Sequence, residues 1–142
     1  MKSFLEPKEV LHLKELGVEF ENTECVWIDP LGSTCICSPK LYKPKPHTLV
    51  HRNSLGDIDY HTNSGVTSAP SLQEVLEKLP KILFFKTFSS YLVILWENTV
   101  TCEMGYTGIK SSKFKNTNPL QAAYELLCWC AKNNYKTKEV GV

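Results

Sequence analysis

The chain has 142 residues, 16 Lys+Arg against 15 Asp+Glu, a formal net charge of +1, and a composition 42% hydrophobic and 22% charged. That length suits one domain, 1–142, and that composition argues against disorder and against a coiled coil. No apolar run approaches the roughly 18–20 residues of a membrane span, and near-neutral charge argues against generic duplex binding, which needs many cations to release counterions.

The opening Met1-Lys2-Ser3-Phe4-Leu5-Glu6-Pro7 meets an acid and a proline too soon for a signal peptide, so a cytoplasmic protein is expected. From Pro7 to Leu16, Val10, Leu11, Leu13 and Leu16 predict a short amphipathic helix. Pro7 suits its first turn and Gly17 its left-handed stop. Cys25–Asp29 reads as a strand, Pro30–Ser33 as a turn, and Thr34–Cys37 as the returning strand of a hairpin. Three prolines in 38–47 block helix and central strand alike, which leaves an extended Pro/Lys-rich loop. Short strands are expected at Thr48–Arg52 and Ile58–His61.

Ser71-Leu72-Gln73-Glu74 is a capping box, and Leu72, Val75, Leu76 and Leu79 continue it as one apolar helical stripe that Pro80 stops. Three strands follow at Ile82–Thr87, Tyr91–Glu97 and Thr99–Tyr106, with connections short enough only for antiparallel hairpins. Tyr91–Trp96 is apolar at every position, which predicts a middle strand covered on both faces. The next strand alternates at Val100, Cys102, Met104 and Tyr106, which predicts one buried face. Asn118 and Pro119 open a last helix whose face is Leu120, Ala123, Tyr124, Leu127 and Ala131, and residues 136–142 form a frayed tail. These patterns add up to an α+β domain: an antiparallel meander sheet with helices packed mainly on one face, and a core within 71–134. The N-terminal helix and hairpin are expected to extend that sheet or lie across its edge.

Three segments carry a resemblance. They are Glu9-Val10-Leu11-His12-Leu13-Lys14-Glu15-Leu16-Gly17 followed by Cys25-Val26-Trp27, then Ser68 to Pro80, then Asn118-Pro119-Leu120-Gln121-Ala122-Ala123-Tyr124-Glu125-Leu126-Leu127-Cys128-Trp129. In this order they resemble segments of small accessory proteins of phages and prophages. The Pro/Lys-rich 38–47 segment departs from that pattern, and the family carries no catalytic motif to place on this chain. The resemblance implies a product made in the bacterial cytoplasm that counters host defence by binding a host protein or capturing a nucleotide signal.

The residues suggest where such binding would occur. Between Lys40 and Arg52 the chain has four cations and no acid, interleaved with Tyr42, His47 and His51. Lys and Arg donate charge-assisted hydrogen bonds to phosphates, and tyrosine rings stack on bases. Lys110, Lys113 and Lys115, with Ser111 and Ser112, form a second basic patch. A nucleotide site would draw on Tyr42, Lys43, Lys45, His51, Arg52, Tyr60 and Lys113, provided these segments meet in one hollow. His47, His51 and His61 with Asp57 and Asp59 have no motif-grade metal or catalytic spacing. Two C-x-C pairs, Cys35/Cys37 and Cys128/Cys130, suggest zinc, but residues two apart on a helix point about 200° from each other and cannot share one ion. Neither a cofactor nor a metal is therefore expected.

The first expectation is a non-enzymatic protein that sequesters a cyclic or other nucleotide messenger. One alternative is an inhibitor that binds a host defence protein through an exposed sheet face. The other is a small phosphodiesterase using His51 or His61. Aromatics at Phe84, Phe85, Phe88, Tyr91, Trp96 and Trp129 are expected mostly in the core; any facing outward would favour a protein partner or a homo-oligomer.

Overall fold

The computed structural model describes residues 2–28, 48–52, 55 and 66–135. Among them lie helices α1 (Pro7–Glu15), α2 (Leu72–Lys78) and α3 (Pro119–Lys132). The strands are β1 (Cys25–Ile28), β2 (Thr48–His51), β3 (Val66–Ala69), β4 (Ile82–Phe84), β5 (Ser89–Glu97), β6 (Thr101–Tyr106) and β7 (Phe114–Asn116). A 3-10 turn at Lys110–Ser112 joins β6 to β7. The expected turn Pro30–Ser33, strands Thr34–Cys37 and Ile58–His61, loop 38–47 and tail 136–142 lie outside the described residues.

The fold is α+β, built on two antiparallel sheets ordered β2-β1-β3 and β4-β5-β6-β7. The second sheet is the expected meander. The first is a correction: the N-terminal strand does not extend the meander but stands at the centre of its own sheet, with Val26 between Val50 and Ser68. Cys25-Val26-Trp27-Ile28 has none of the charge or proline that marks an edge strand, consistent with neighbours on both sides. Two short strands, β3 and β7, were not predicted. Lys115 and Asn116 disfavour strands, and β7 exists because Cys102, Glu103 and Met104 of β6 supply a template for it.

Local chemistry sets the helix ends. Glu9 reaches back to the Glu6 N–H at 2.9 Å, closing a capping box at the start of α1. Gly17, at φ +92, lets the Val18 N–H return to the Leu13 carbonyl at 2.8 Å. Ser71 and Glu74 cap α2 reciprocally, and the Asn118 side chain accepts from the Leu120 N–H at 3.1 Å at the start of α3.

One buried cluster joins Leu5, Val10, Leu13 and Phe20 to Val75, Leu79, Leu83, Met104, Tyr106 and the α3 face. The core therefore reaches well outside 71–134. That α3 face is broader than the predicted stripe, taking in Ala122, Leu126 and Cys130, because α3 packs on β6 and β7 and also on α2. Residues 2–5 bind several elements. The Leu5 N–H donates to the Pro70 carbonyl at 3.0 Å, and the Trp27 indole N–H donates to the Leu5 carbonyl at 2.7 Å. Lys2 bonds the buried Glu9 carboxylate at 2.7 and 2.8 Å and Gln121 at 2.8 Å, so this internal acid is neutralised.

The middle strand is the largest departure from expectation. Alternation in β6 behaves as predicted at Cys102, Met104 and Tyr106, which are buried, but Val100 lies before the strand and is 61% exposed. In contrast, β5 is not covered on both faces: Tyr91, Ile94, Leu95 and Trp96 are 42–55% exposed. Of the helices, α3 lies over β6, β7 and α2, while α1 packs on β3, and β4 is three residues long and pairs only with Ser89–Tyr91. Nor are most of the aromatics in the core. Phe84, Phe88, Tyr91 and Trp96 are all at least half exposed, while Phe85 and Trp129 are half-buried.

Candidate interaction surface

The proposed nucleotide residues fall into three groups. Tyr42, Lys43, Lys45 and Tyr60 lie outside the described residues. His51 and Arg52 stand at the end of β2, in the three-stranded sheet. There the Arg52 Nε–H donates to the Thr23 carbonyl at 2.7 Å and its backbone N–H to the Glu24 carbonyl at 2.9 Å. Arg52 thus ties β2 to the segment that leads into β1. His51 is exposed, its Nδ1 against the Arg52 carbonyl.

Lys113 belongs to the other sheet. Its Nζ is 3.9 Å from the Glu103 carboxylate, and the Lys115 Nζ is 3.2 Å from Glu97 and 3.4 Å from Glu103. Those carboxylates raise the pKa of Lys115, so it stays charged and paired. Ser112 is buried, accepting from the Tyr106 N–H at 2.9 Å and donating to the Ile109 carbonyl at 2.7 Å. Two of the three lysines of the second basic patch are therefore paired with carboxylates rather than arranged as a phosphate cradle. Nor does the Gly105–Gly108 turn offer a cradle. The Thr107 hydroxyl accepts from the Tyr91 N–H at 3.0 Å and so belongs to the sheet.

Lys113 lines a hollow of about 90 Å³ with Val93, Leu95, Glu103 and Gly105. A hollow of about 240 Å³ lies between α1 and β3, and one of about 180 Å³ between the end of α1 and α3. Neither His51 nor Arg52 lines any of the three, and all are below the roughly 300–1,000 Å³ typical of small-molecule pockets.

The four described thiols, Cys25, Cys102, Cys128 and Cys130, are buried, and burial pushes their pKa values up, that of Cys130 to about 11. Such thiols are poor nucleophiles and poor ligands. Cys35 and Cys37, like His47, His61, Asp57 and Asp59, lie outside the described residues. Among the described residues, no three His, Cys, Asp or Glu side chains cluster as metal ligands.

What the structure does assemble is apolar. Ile82 lies opposite Tyr91 in the β4–β5 register, so Ile82, Phe84, Tyr91, Val93 and Leu95 share the sheet face turned away from α3. Phe84 is 75% exposed there. Ile94 and Trp96 share the opposite face with Met104 and Cys102, but they overhang the part that α3 covers. Sequence reasoning placed these residues in the core because their apolar run looked like a doubly covered strand. A usable signal was present: one long helix follows three apolar strands, too little to cover both faces of the sheet.

Among the described residues, the edge of β5 is also open. The Leu92 N–H donates to the Lys81 carbonyl and the Thr107 N–H to the Tyr91 carbonyl, each at 3.0 Å. Odd-numbered residues of β5 therefore bond to β6, and even-numbered ones point to the other edge. Among the described residues, no strand lies opposite Ile94 and Trp96 on that edge. Comparison with protein-family models, curated proteins and solved structures gave no match. Among the described residues, no helix is long and apolar enough to cross a membrane.

Proposed function

We propose that this is a non-enzymatic binding protein of phage or prophage type that counters a bacterial defence system, in the host cytoplasm, by docking on a host protein. The observation that carries this reading is the outward face of β4 and β5, where Ile82, Phe84, Tyr91 and Leu95 are exposed side by side. Monomeric proteins rarely leave contiguous apolar patches beyond a few hundred Å², and exposed aromatic side chains are enriched where proteins meet. The paired lysines beside this face favour a protein target over a polyanion.

Sequestration of a nucleotide messenger is the second reading. It is favoured by the exposed His51, which follows in sequence the segment that carries Lys40, Tyr42, Lys43 and Lys45. Native mass spectrometry of tagged protein from defence-active bacteria separates the readings. Host docking predicts a co-purifying protein at fixed stoichiometry, lost in Phe84→Asp and retained in His51→Ala. A nucleotide-sized mass lost in His51→Ala, with no protein partner, would replace it with capture. Cleaved nucleotide in solution would point to the phosphodiesterase alternative.

A further inference from the structure

We propose that the open edge of β5 pairs with the same edge of a second copy, antiparallel, in a two-fold dimer centred on Leu95. The pairing follows from hydrogen bonding. An unpaired strand edge is a template for another strand, and proteins usually protect it with lysine, proline or a bulge. Residues Tyr91 to Trp96 contain neither lysine nor proline, and their register with β6 runs unbroken from Leu92 to Glu97.

Register is fixed by what the edge already bonds. Centring the two-fold on Ile94 would set Trp96 of one copy against Leu92 of the other, whose N–H is already taken by Lys81. Centring it on Leu95 sets Ile94 against Trp96 twice over, so the N–H and C=O of both residues form four inter-copy hydrogen bonds. The Asn98-Thr99 turn of each copy then stops where β4 of the other begins. Side chains agree with this register. Ile94 and Trp96 of both copies cluster on one face, while Leu95 meets Leu95 on the other. Each Glu97 faces Val93 rather than its own equivalent, so no like charges oppose each other.

Size sets the expected strength. Tyr91, Ile94, Leu95 and Trp96 are 42–55% exposed. They offer on the order of 400 Å² per copy, and the strand backbone adds to that, which approaches the lower end of specific interfaces at roughly 600 Å² per partner. This inference does not rest on the host-docking reading, because the contact is made by strand-edge hydrogen bonds, although it takes Leu95 and part of Tyr91 from that face. It leaves Ile82 and Phe84 open and sets two copies of that face on one continuous sheet.

Sedimentation velocity from micromolar to near-millimolar concentration, with amide exchange at both ends, tests the proposal. The mass should double with concentration, and on dimerisation the Ile94 and Trp96 amides should slow while Val93 and Leu95, already bonded to β6, stay unchanged. Leu95→Lys, which brings like charges together at the two-fold, and Ile94→Pro, which removes an outward N–H, should each weaken the dimer at least tenfold with the far-UV spectrum retained. A monomer throughout the range would overturn the proposal. So would a dimer indifferent to both variants, or Ile94 and Trp96 amides already slow in the monomer. Phe84→Asp should leave dimerisation intact, so failure of host docking reads separately.

Discussion

The phenol of Tyr106, in the meander, donates to the Pro80 carbonyl at 2.6 Å, and the Cys130 thiol of α3 lies 3.6 Å from the Tyr106 phenol oxygen. One buried hydroxyl thus joins sheet, α2 terminus and α3. Tyr106→Phe should lower unfolding free energy by about 1–3 kcal/mol, because it leaves the Pro80 carbonyl without its donor. Urea titration followed by tryptophan fluorescence checks this.

Alkaline pH should unfold the protein early. Burial raises the Cys130 pKa from 9.0 to about 11, and it also raises those of Cys102 and Cys128. Above pH 9 the unfolded chain gives up thiol protons that the folded chain retains, so stability present below pH 9 is lost as pH rises toward 11. Buried Tyr106 and half-buried Tyr124, also shifted upward by burial, act in the same direction. Urea midpoints measured from pH 8 to 11 should fall, and Cys130→Ala should flatten part of that slope.

Gly105 is a contact residue. A Cβ there would stand 2.9 Å from the Ser112 carbonyl oxygen and 3.1 Å from the Lys113 Cα, both backbone atoms. Gly105→Ala should therefore cost about 1–3 kcal/mol by pushing the 3-10 turn off β6. A lowered melting temperature is the expected result.

The β5–β6 turn carries local strain. Asn98 and Thr99 both have positive φ, 51° and 60°, and the Val100 N–H donates to the Glu97 carbonyl at 3.1 Å. Asparagine tolerates that region, but a β-branched threonine does not, and glycine is the usual second residue of such turns. Thr99→Gly should stabilise the protein by about 1 kcal/mol, since relief of strain exceeds the added chain entropy. Thermal denaturation gives the sign directly.

Arg52 has a scaffold role in addition to any binding role. Arg52→Ala removes the bond to the Thr23 carbonyl and should cost about 1–3 kcal/mol, whereas His51→Ala, at an exposed position, should be near neutral. Comparing the two by urea unfolding separates lost structure from lost binding.

The sequence made the helices legible because their ends are written in local chemistry: Pro7, the Ser71–Glu74 box, Asn118-Pro119. The meander was legible from short connections. Less visible was which neighbour covers each strand, since that depends on where α3 lands. Tyr91–Trp96 has the composition of a buried strand, and only the placement of α3 over β6 and β7 leaves it open. The basic patch failed for a similar reason: Lys113 and Lys115 gain their acids from β5 and β6, through a register that no local window displays. Glu9 was hidden too, because its partner Lys2 lies seven residues away across a helix start.

Lys2 has a consequence for the order of events during translation. It bonds Gln121, 119 positions further along, and its carbonyl accepts from Asn118. At about 5–20 residues per second the ribosome needs roughly 6–24 s to make that intervening stretch. For that interval Leu5, Val10 and Leu13 lack the α3 members of the buried cluster they belong to, so their burial stays incomplete until the last helix emerges.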